Sequence, residues 1–540
     1  MSTSLYDTSD LTIGRLLALQ TERRGAKPFI RSVEDGRSLT FADVETRTTR
    51  LANRMLAIGI GRGTHAAIMM ENSVEFLLVY FALGKLGAVA VPINTAARGK
   101  LLRYYLEQSD SSVLLVDDAL YDRVLEAELD PKAIQSVILM SPAAGPQRRE
   151  ILGARTYRYS DDLTGGSDEP IAAPPGCHDP ALMAYTSGTT GPSKGNMLCQ
   201  AAAICFGLSN VDHHGYRSDD HFYICLPLFH LGALGQMFAA LTAGSTLTLA
   251  RRFSVSGFWS DVRSSGSTVT TLIGSMSHFI WNQPHDARDC DNPLRMVMMA
   301  PVSKFAIPFQ DRFGLKIGSN YGLSDYALAA GYRISDPVDK LGSAGCVRRN
   351  MEMAIADDND VLLPAGEVGE IVIRCKEPWR AASGYYKMPE ATLKAWRNFW
   401  YHTGDRGFLD EDGFLFFVDR KKDAIRRRGE NISAHEVEMI AAGHPAVAEA
   451  AAFPVKSEMS EDEVGLAVIA KAGAVVNEAD LIAYCQRNMA YFMVPRFVQV
   501  RDDFPRALNH KVEKYKIRTE VEATLPAVWD REKAGIVVTR

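Results

Sequence analysis

Residues 185–195 read Tyr-Thr-Ser-Gly-Thr-Thr-Gly-Pro-Ser-Lys-Gly, and side chains of these types suit one task, holding an anion. Glycines such as Gly188 and Gly191 allow positive φ and close backbone approach, so successive N–H groups can face one concavity. Thr186, Ser187, Thr189 and Thr190 add hydroxyl donors, and Lys194 adds a point charge suited to phosphate. A P-loop would need Gly-Lys-Ser/Thr opening a helix. Here Gly195 and Asn196 follow Lys194, so that reading fails. A Gly/Ser surface turn is the plain alternative.

Four more places carry chemistry. Tyr321-Gly322-Leu-Ser324-Asp325 follows a strand expected at 314–317 and offers a hydroxyl and a carboxylate side by side. Ser-Asp after a strand also suits a helix cap. His402-Thr-Gly-Asp405 ends in a carboxylate with two acceptor oxygens, though the tripeptide alone is an ordinary turn. His230 stands in Leu-Pro-Leu-Phe-His230-Leu-Gly, where a core histidine is the bland reading. Lys511 ends Pro505-Arg-Ala-Leu-Asn-His-Lys511, with Lys514 and Lys516 as rivals and a solvated basic face as the alternative.

In this order, from 185 to 518, the elements resemble the motifs of the adenylate-forming superfamily: acyl-CoA synthetases, firefly-type luciferases and peptide-synthetase adenylation domains. The resemblance implies that residues 186–195 hold the ATP phosphates, that Tyr321, Gly322 and Ser324 border the nucleotide, and that Asp325 serves Mg²⁺. It also implies that Asp405 and Arg420 contact the ribose, that Asp419 to Lys422 form a hinge, and that Lys511 is the catalytic lysine. His230 is expected as a second catalytic residue beside Lys511 and, with Gly274, Ala300 and Gly322, would border the acyl pocket. The chain departs from the family pattern at Pro192-Ser193, which is transposed, at Asp325 in place of glutamate, and at Asn509-His510 in place of Thr-Gly. Pro364 to Glu370 and Gly429 to Ile432 match further family elements of structural rather than chemical character.

The implied activity is that of an ATP-dependent acyl-CoA ligase using ATP, Mg²⁺, coenzyme A and a small carboxylic acid. Wording around 429–433 resembles the carnitine/crotonobetaine-CoA ligase branch most. The candidate acyl-pocket residues 274–276, 300–301 and 327–330 are small or apolar, and Arg333 faces either a second carboxylate or solvent. No aspartate stands where amino-acid-activating members hold an amine. Rival readings are transfer to a carrier-protein thiol, a luciferase-type oxidation, and a nucleotide-binding homologue with degenerate catalysis. No carrier domain is fused in this sequence, which favours free CoA.

The elements that must position these groups are legible in outline. Helical spacing from Thr40 to Ile58, strands near 66–70, 88–91 and 113–116, and a helix capped by Ser73 predict a parallel sheet with helical crossovers. Near Asp419 the chain turns polar, and beyond it Ser433-Ala-His-Glu436 predicts a capping box opening a helix that ends at Gly443. Strands near 448–453 and 465–470 and a helix from Glu478 complete an α+β unit. The expected fold is α/β: a large N-terminal region of layered sheets and helices (1–418), a hinge (419–422) and a small α+β C-terminal domain (423–540).

Composition excludes little but useful ground. At 540 residues with 23% charged content and a net charge of −5, nothing marks a nucleic-acid surface; Arg426-Arg427-Arg428 is the one compact basic cluster. Eight cysteines lack CxxC pairs, against a zinc site or disulfide framework. The apolar stretch 74–93 is broken by Glu75 and Lys85, too interrupted for a membrane span. A cytoplasmic enzyme is expected, with a homodimer allowed.

Overall fold

The computed structural model describes residues 6–130, 133–140, 153–186, 192–420, 424–457, 461–506 and 512–538. Ser187, Gly188, Thr189, Thr190, Gly191, Lys422 and Lys511 lie outside them.

The strand–helix–strand pattern does build parallel sheet. His65–Met69, Val89–Pro92, Val113–Val116 and Ser136–Leu139 are parallel neighbours in an eight-stranded sheet. Pro180–Thr186 joins Val89–Pro92 in parallel, and Lys194–Cys199 returns antiparallel beside it. A nine-stranded sheet carries the parallel run His221–Ile224, Val269–Ile273, Met296–Ala300 and Lys316–Gly322. Helices Val74–Leu86, Gln200–His214 and Leu231–Ala243 fill the core shared by the two sheets.

The apolar stretch at 74 is therefore a core helix. Ser73 Oγ accepts from Phe76 N at 3.1 Å to start it, Gly87 at φ +68° ends it, and every residue except Glu75 is buried. Lys85 is accommodated by Glu45 and Thr49, each at 2.7 Å. Among the described residues no helix is long and apolar enough to cross a membrane.

A third sheet runs antiparallel through Met351–Ala356, Gly369–Cys375, Trp400–Leu409 and Leu415–Arg420. The small C-terminal domain follows. A hairpin, Ala424–Arg427 with Glu430–Ser433, leads into a four-stranded sheet. Helices Ala434–Ala442 and Glu478–Asn488 cover one face of that sheet, in an apolar core continuous with Leu101 and Leu102 of the large region. Helix Lys514–Ala523 covers the other face, away from the large region. The basic cluster is structural at its centre: Arg427 is buried, 2.7 Å from Glu463, and donates to the carbonyls of Phe492 and Val494.

Two local expectations are corrected. Ser433 does cap its helix, with Oγ accepting from Glu436 N at 3.4 Å, but the Glu436 carboxylate does not return to Ser433. It reaches the large region instead. No helix follows Ser324-Asp325 either: strand Lys316–Gly322 turns there and pairs antiparallel with Leu328–Tyr332.

Candidate active site

The anion-loop ends are pinned before the loop begins. Thr186 and Lys194 face each other across the antiparallel pair. Tyr185 OH donates to Tyr105 O at 2.8 Å and Gln108 Oε1 at 2.6 Å, anchoring the incoming strand. Lys194 Nζ lies 4.7 Å above the Tyr385 ring, and no hydrogen bond ties it among the described residues. Thr186 Oγ1 donates to Asp325 Oδ1 at 2.6 Å, and Asn196 Nδ2 donates to Ser324 O at 2.6 Å. The loop base and the 322–328 turn are thus one structure. Asp325 presents a carboxylate beside a hydroxyl, a donor set that fits Mg²⁺ held largely by phosphate and water. The described residues hold no cluster of three or more metal-ligating side chains.

The second wall comes from the third sheet. Tyr321 OH donates to Asp405 Oδ2 at 2.9 Å, and Asp405 is only 3% exposed. Across the strand pair Asp405 stands opposite Arg420, and Arg406 opposite Asp419. Gly404 makes the bend at φ +73°, and its N–H donates to Glu370 Oε1 at 3.1 Å. Thr403 Oγ1 donates to Ile371 O at 2.7 Å and accepts from Asp405 N at 3.1 Å. Glu370 therefore holds the Thr-Gly-Asp bend in place, a positional role no reading of residues 364–370 exposed.

The third wall is the domain seam. His230 Nε2 lies 2.9 Å from both carboxylate oxygens of Glu430 at the small-domain hairpin tip. Desolvation disfavours its cation, yet the charge and hydrogen bond of Glu430 raise its pKa above the usual 6.5. Beside it, Gly429 at φ +81° presses on Ile273: a Cβ there would sit 2.0 Å from Cδ1. Ile273 pairs with Ala300 and precedes Gly274, so the tip lies at the C-terminal ends of the parallel strands. That is where open α/β sheets bind ligands.

Glu436 completes the seam. It accepts from Ser193 N at 2.8 Å and is buried, and burial raises its pKa to about 7 against the pull of that hydrogen bond. Tyr105, Tyr185, Ser193, His230, Glu430 and Glu436 all line one pocket between the domains.

The AMP-binding enzyme pattern matches residues 17–386, and the AMP-binding enzyme C-terminal domain pattern matches residues 436–511. The chain belongs to the AMP-binding enzyme family.

Within that family, a crotonobetaine/carnitine–CoA ligase from Salmonella paratyphi B is 31% identical over 491 residues, covering 89% of this chain and 93% of the relative. Among solved structures, a double mutant of o-succinylbenzoate CoA synthetase from Bacillus subtilis, bound with a product analogue, superposes with a TM-score of 0.80 at 24% identity. It covers 93% of this chain and 98% of its own. The same synthetase in complex with AMP gives 0.66 at 24% identity, covering 94% and 98%.

Of the residues singled out from the sequence, this AMP-binding enzyme brings Thr186, Lys194, Tyr321, Gly322, Ser324, Asp325 and Asp405 to two adjoining walls, with Arg420 opposite Asp405 in register. His230, Gly274 and Ala300 meet at the seam end. Arg333 does not face the site: it is exposed and bound to Asp336 at 2.8 Å. His230 is not a core histidine either, being only partly buried and paired across domains. Glu430 and Glu436 were not signalled as functional by the motifs around them.

Proposed function

We propose that this AMP-binding enzyme is an acyl-CoA ligase working in two half-reactions. A carboxylate oxygen of the acid attacks the α-phosphorus of ATP, and the bond to the β-phosphate oxygen breaks, releasing pyrophosphate. Then the sulfur of CoA attacks the acyl carbon, its proton leaves to solvent, and the carbon–oxygen bond to AMP breaks.

The observation that carries this reading is the meeting of Tyr321 with Asp405 opposite Arg420, beside Thr186 with Asp325. A buried two-oxygen acceptor suits the ribose diol, and the neighbouring hydroxyl and carboxylate suit a metal-bound triphosphate. Mg²⁺, when bound at Asp325, supplies charge neutralisation on the phosphates. Residues 186–195 and Lys194 would bind those phosphates, and Tyr321 would pack on the base.

Lys511 would stabilise charge on the transferring phosphate. Its described flanks, Arg506 and Val512, pair with each other next to the helix on the far face of the small sheet. The small domain (423–540) must then turn about 419–422 for adenylation, and the seam seen here suits the thiol step. The higher superposition onto the product-analogue complex than onto the AMP complex of one synthetase supports that assignment. Its cosubstrates favour a cytoplasmic location.

Pyrophosphate release with ATP, Mg²⁺ and a panel of carboxylic acids, with and without CoA, tests the reading. Acid-dependent release, followed by CoA-dependent thioester and AMP, is expected. Release with no thioester formed would shift the acceptor to a carrier-protein thiol, and no release from any acid would sink the ligase reading.

A further inference from the structure

Three strands meet at the base of the phosphate loop, and their common face carries a tyrosine that no motif singled out. Thr186 stands opposite Lys194, and Asn196 lies two residues further along the same strand, so these three side chains share one face. The short strand Gly384–Tyr385 is the edge strand beside Lys194–Cys199, and it sets Tyr385 opposite Asn196. Lys194 is then its diagonal neighbour, within reach of a long side chain. This face meets the 322–328 turn, where Thr186 donates to Asp325 and Asn196 donates to Ser324 O.

The edge strand is short but firmly set. Ser383 N donates to Met197 O at 2.9 Å and Tyr386 N to Gly195 O at 2.8 Å, while Tyr385 N donates to Thr392 Oγ1 at 2.9 Å. Tyr385 itself is 9% exposed, and its two ends do different things. The ring carries Lys194 Nζ 4.7 Å above its centroid, so a ring face holds the ammonium where no hydrogen bond does among the described residues. The hydroxyl donates to the Asp325 carboxylate and accepts from Tyr401 OH at 3.0 Å. Tyr401 is fixed in turn: its ring stacks on Tyr326 at 4.8 Å and 3°, and its strand, Trp400–Leu409, also carries Asp405.

Both contacts prepare a charged group. Asp325 already accepts from Thr186 at 2.6 Å, and with a second hydroxyl donor its orientation is set while other lone pairs stay open to a cation. The ring face places the Lys194 ammonium yet occupies none of its three N–H donors, so all three remain for phosphate.

We propose that Tyr385 is a positioning residue of the nucleotide site: its hydroxyl aims Asp325 at Mg²⁺, and its ring holds Lys194 ready for the phosphates. The inference rests on the ligase reading's placement of the phosphates and of Mg²⁺, and it adds a residue acting through both. By way of Tyr401, the same hydroxyl registers the phosphate side of the cleft to the strand that presents Asp405.

Two variants separate the two ends. Tyr385→Phe keeps the ring and removes the donor, whereas Tyr385→Leu removes both. The first readout is the ATP-induced Tm rise of the whole chain, titrated with Mg²⁺, which needs neither acid nor turnover. Tyr385→Phe should raise the Mg²⁺ concentration at half effect by about tenfold, and the ATP requirement at saturating Mg²⁺ should move little. Tyr385→Leu should add to this a rise of about threefold in the ATP requirement, a rise that disappears in a Lys194→Ala background. Should Tyr385→Leu fail to fold, Tyr385→Phe decides alone. A Mg²⁺ midpoint that Tyr385→Phe leaves in place overturns the inference, whatever happens to the ligand-free Tm. So does a wild-type Tm rise that ignores Mg²⁺. The second readout is the Mg²⁺ dependence of acid-dependent pyrophosphate release, which should shift by the same factor. If no acid supports release while the Tm titration shifts as described, the ligase reading fails and the placement of Tyr385 stands.

Discussion

The wall formed by Tyr321, Asp405, Thr186 and Asp325 and the seam formed by Ser193, Glu436, His230 and Glu430 are both chains of hydrogen bonds to carboxylates, yet they are made differently. Every partner in the wall belongs to the large region, so its geometry exists before any ligand or domain arrives. Every bond in the seam has one partner in each domain, so it exists only while the two are together. A pre-set wall suits charge stabilisation, which gains from donors that need no reorganisation. A seam that assembles and separates suits timing.

The comparison breaks first at Lys511. Lys511→Ala should lower acid-dependent pyrophosphate release by about a hundredfold or more, while thioester formation from supplied acyl-adenylate persists. If both half-reactions fell together, the separation of wall and seam would be wrong.

Asp405→Ala comes next. It strips the buried acceptor from Tyr321 and from the ribose, and kcat/KM for ATP should fall about 10–100-fold with far-UV circular dichroism unchanged. Glu430→Gln should act oppositely: CoA-dependent thioester formation slows several-fold, pyrophosphate release without CoA is retained, and the imidazole of His230 loses the charge that raises it.

The smallest effect is on pH. Glu436 has its pKa raised to about 7 from an ordinary 4.5, and His230 is raised above 6.5. Both hold protons in the assembled molecule that they would release when exposed. Their contribution is therefore complete at low pH, below about 4.5 for Glu436, and is lost as pH rises through about 7. Thermal stability should decline across that window, and Glu436→Gln should flatten the decline. An unchanged slope would remove Glu436 from the seam's titration.

Much of this was legible in advance, for physical reasons that also mark where reading stops. The parallel strands and the core helix at 74–86 follow from apolar periodicity and from Ser73 and Gly87 at its ends. Tyr321 and Asp405 are 84 positions apart, and only a resemblance in motif order could pair them. Glu436 was concealed by a local explanation that sufficed: its spacing from Ser433 satisfies a capping box, and nothing in ten residues reveals that its carboxylate crosses to Ser193. The burial of Arg348 was concealed too. Val347-Arg348-Arg349 carries no motif, and only the packing of helix Gln200–His214 against strand Leu328–Tyr332 seals Arg348 inside while Arg349 stays exposed.

Gly429 carries a last consequence. With no side chain it clears Ile273, and at φ +81° any larger residue would both strain the backbone and displace the Ile273 methyl end, whose Cδ1 its Cβ would meet at 2.0 Å. Any residue larger than glycine there would be a wedge, holding the door ajar after the activated acid has formed. On the ligase reading proposed above, such an enzyme would keep consuming ATP and lose its mixed anhydride to water, and the missing methyl at one position would be what prevents a futile cycle.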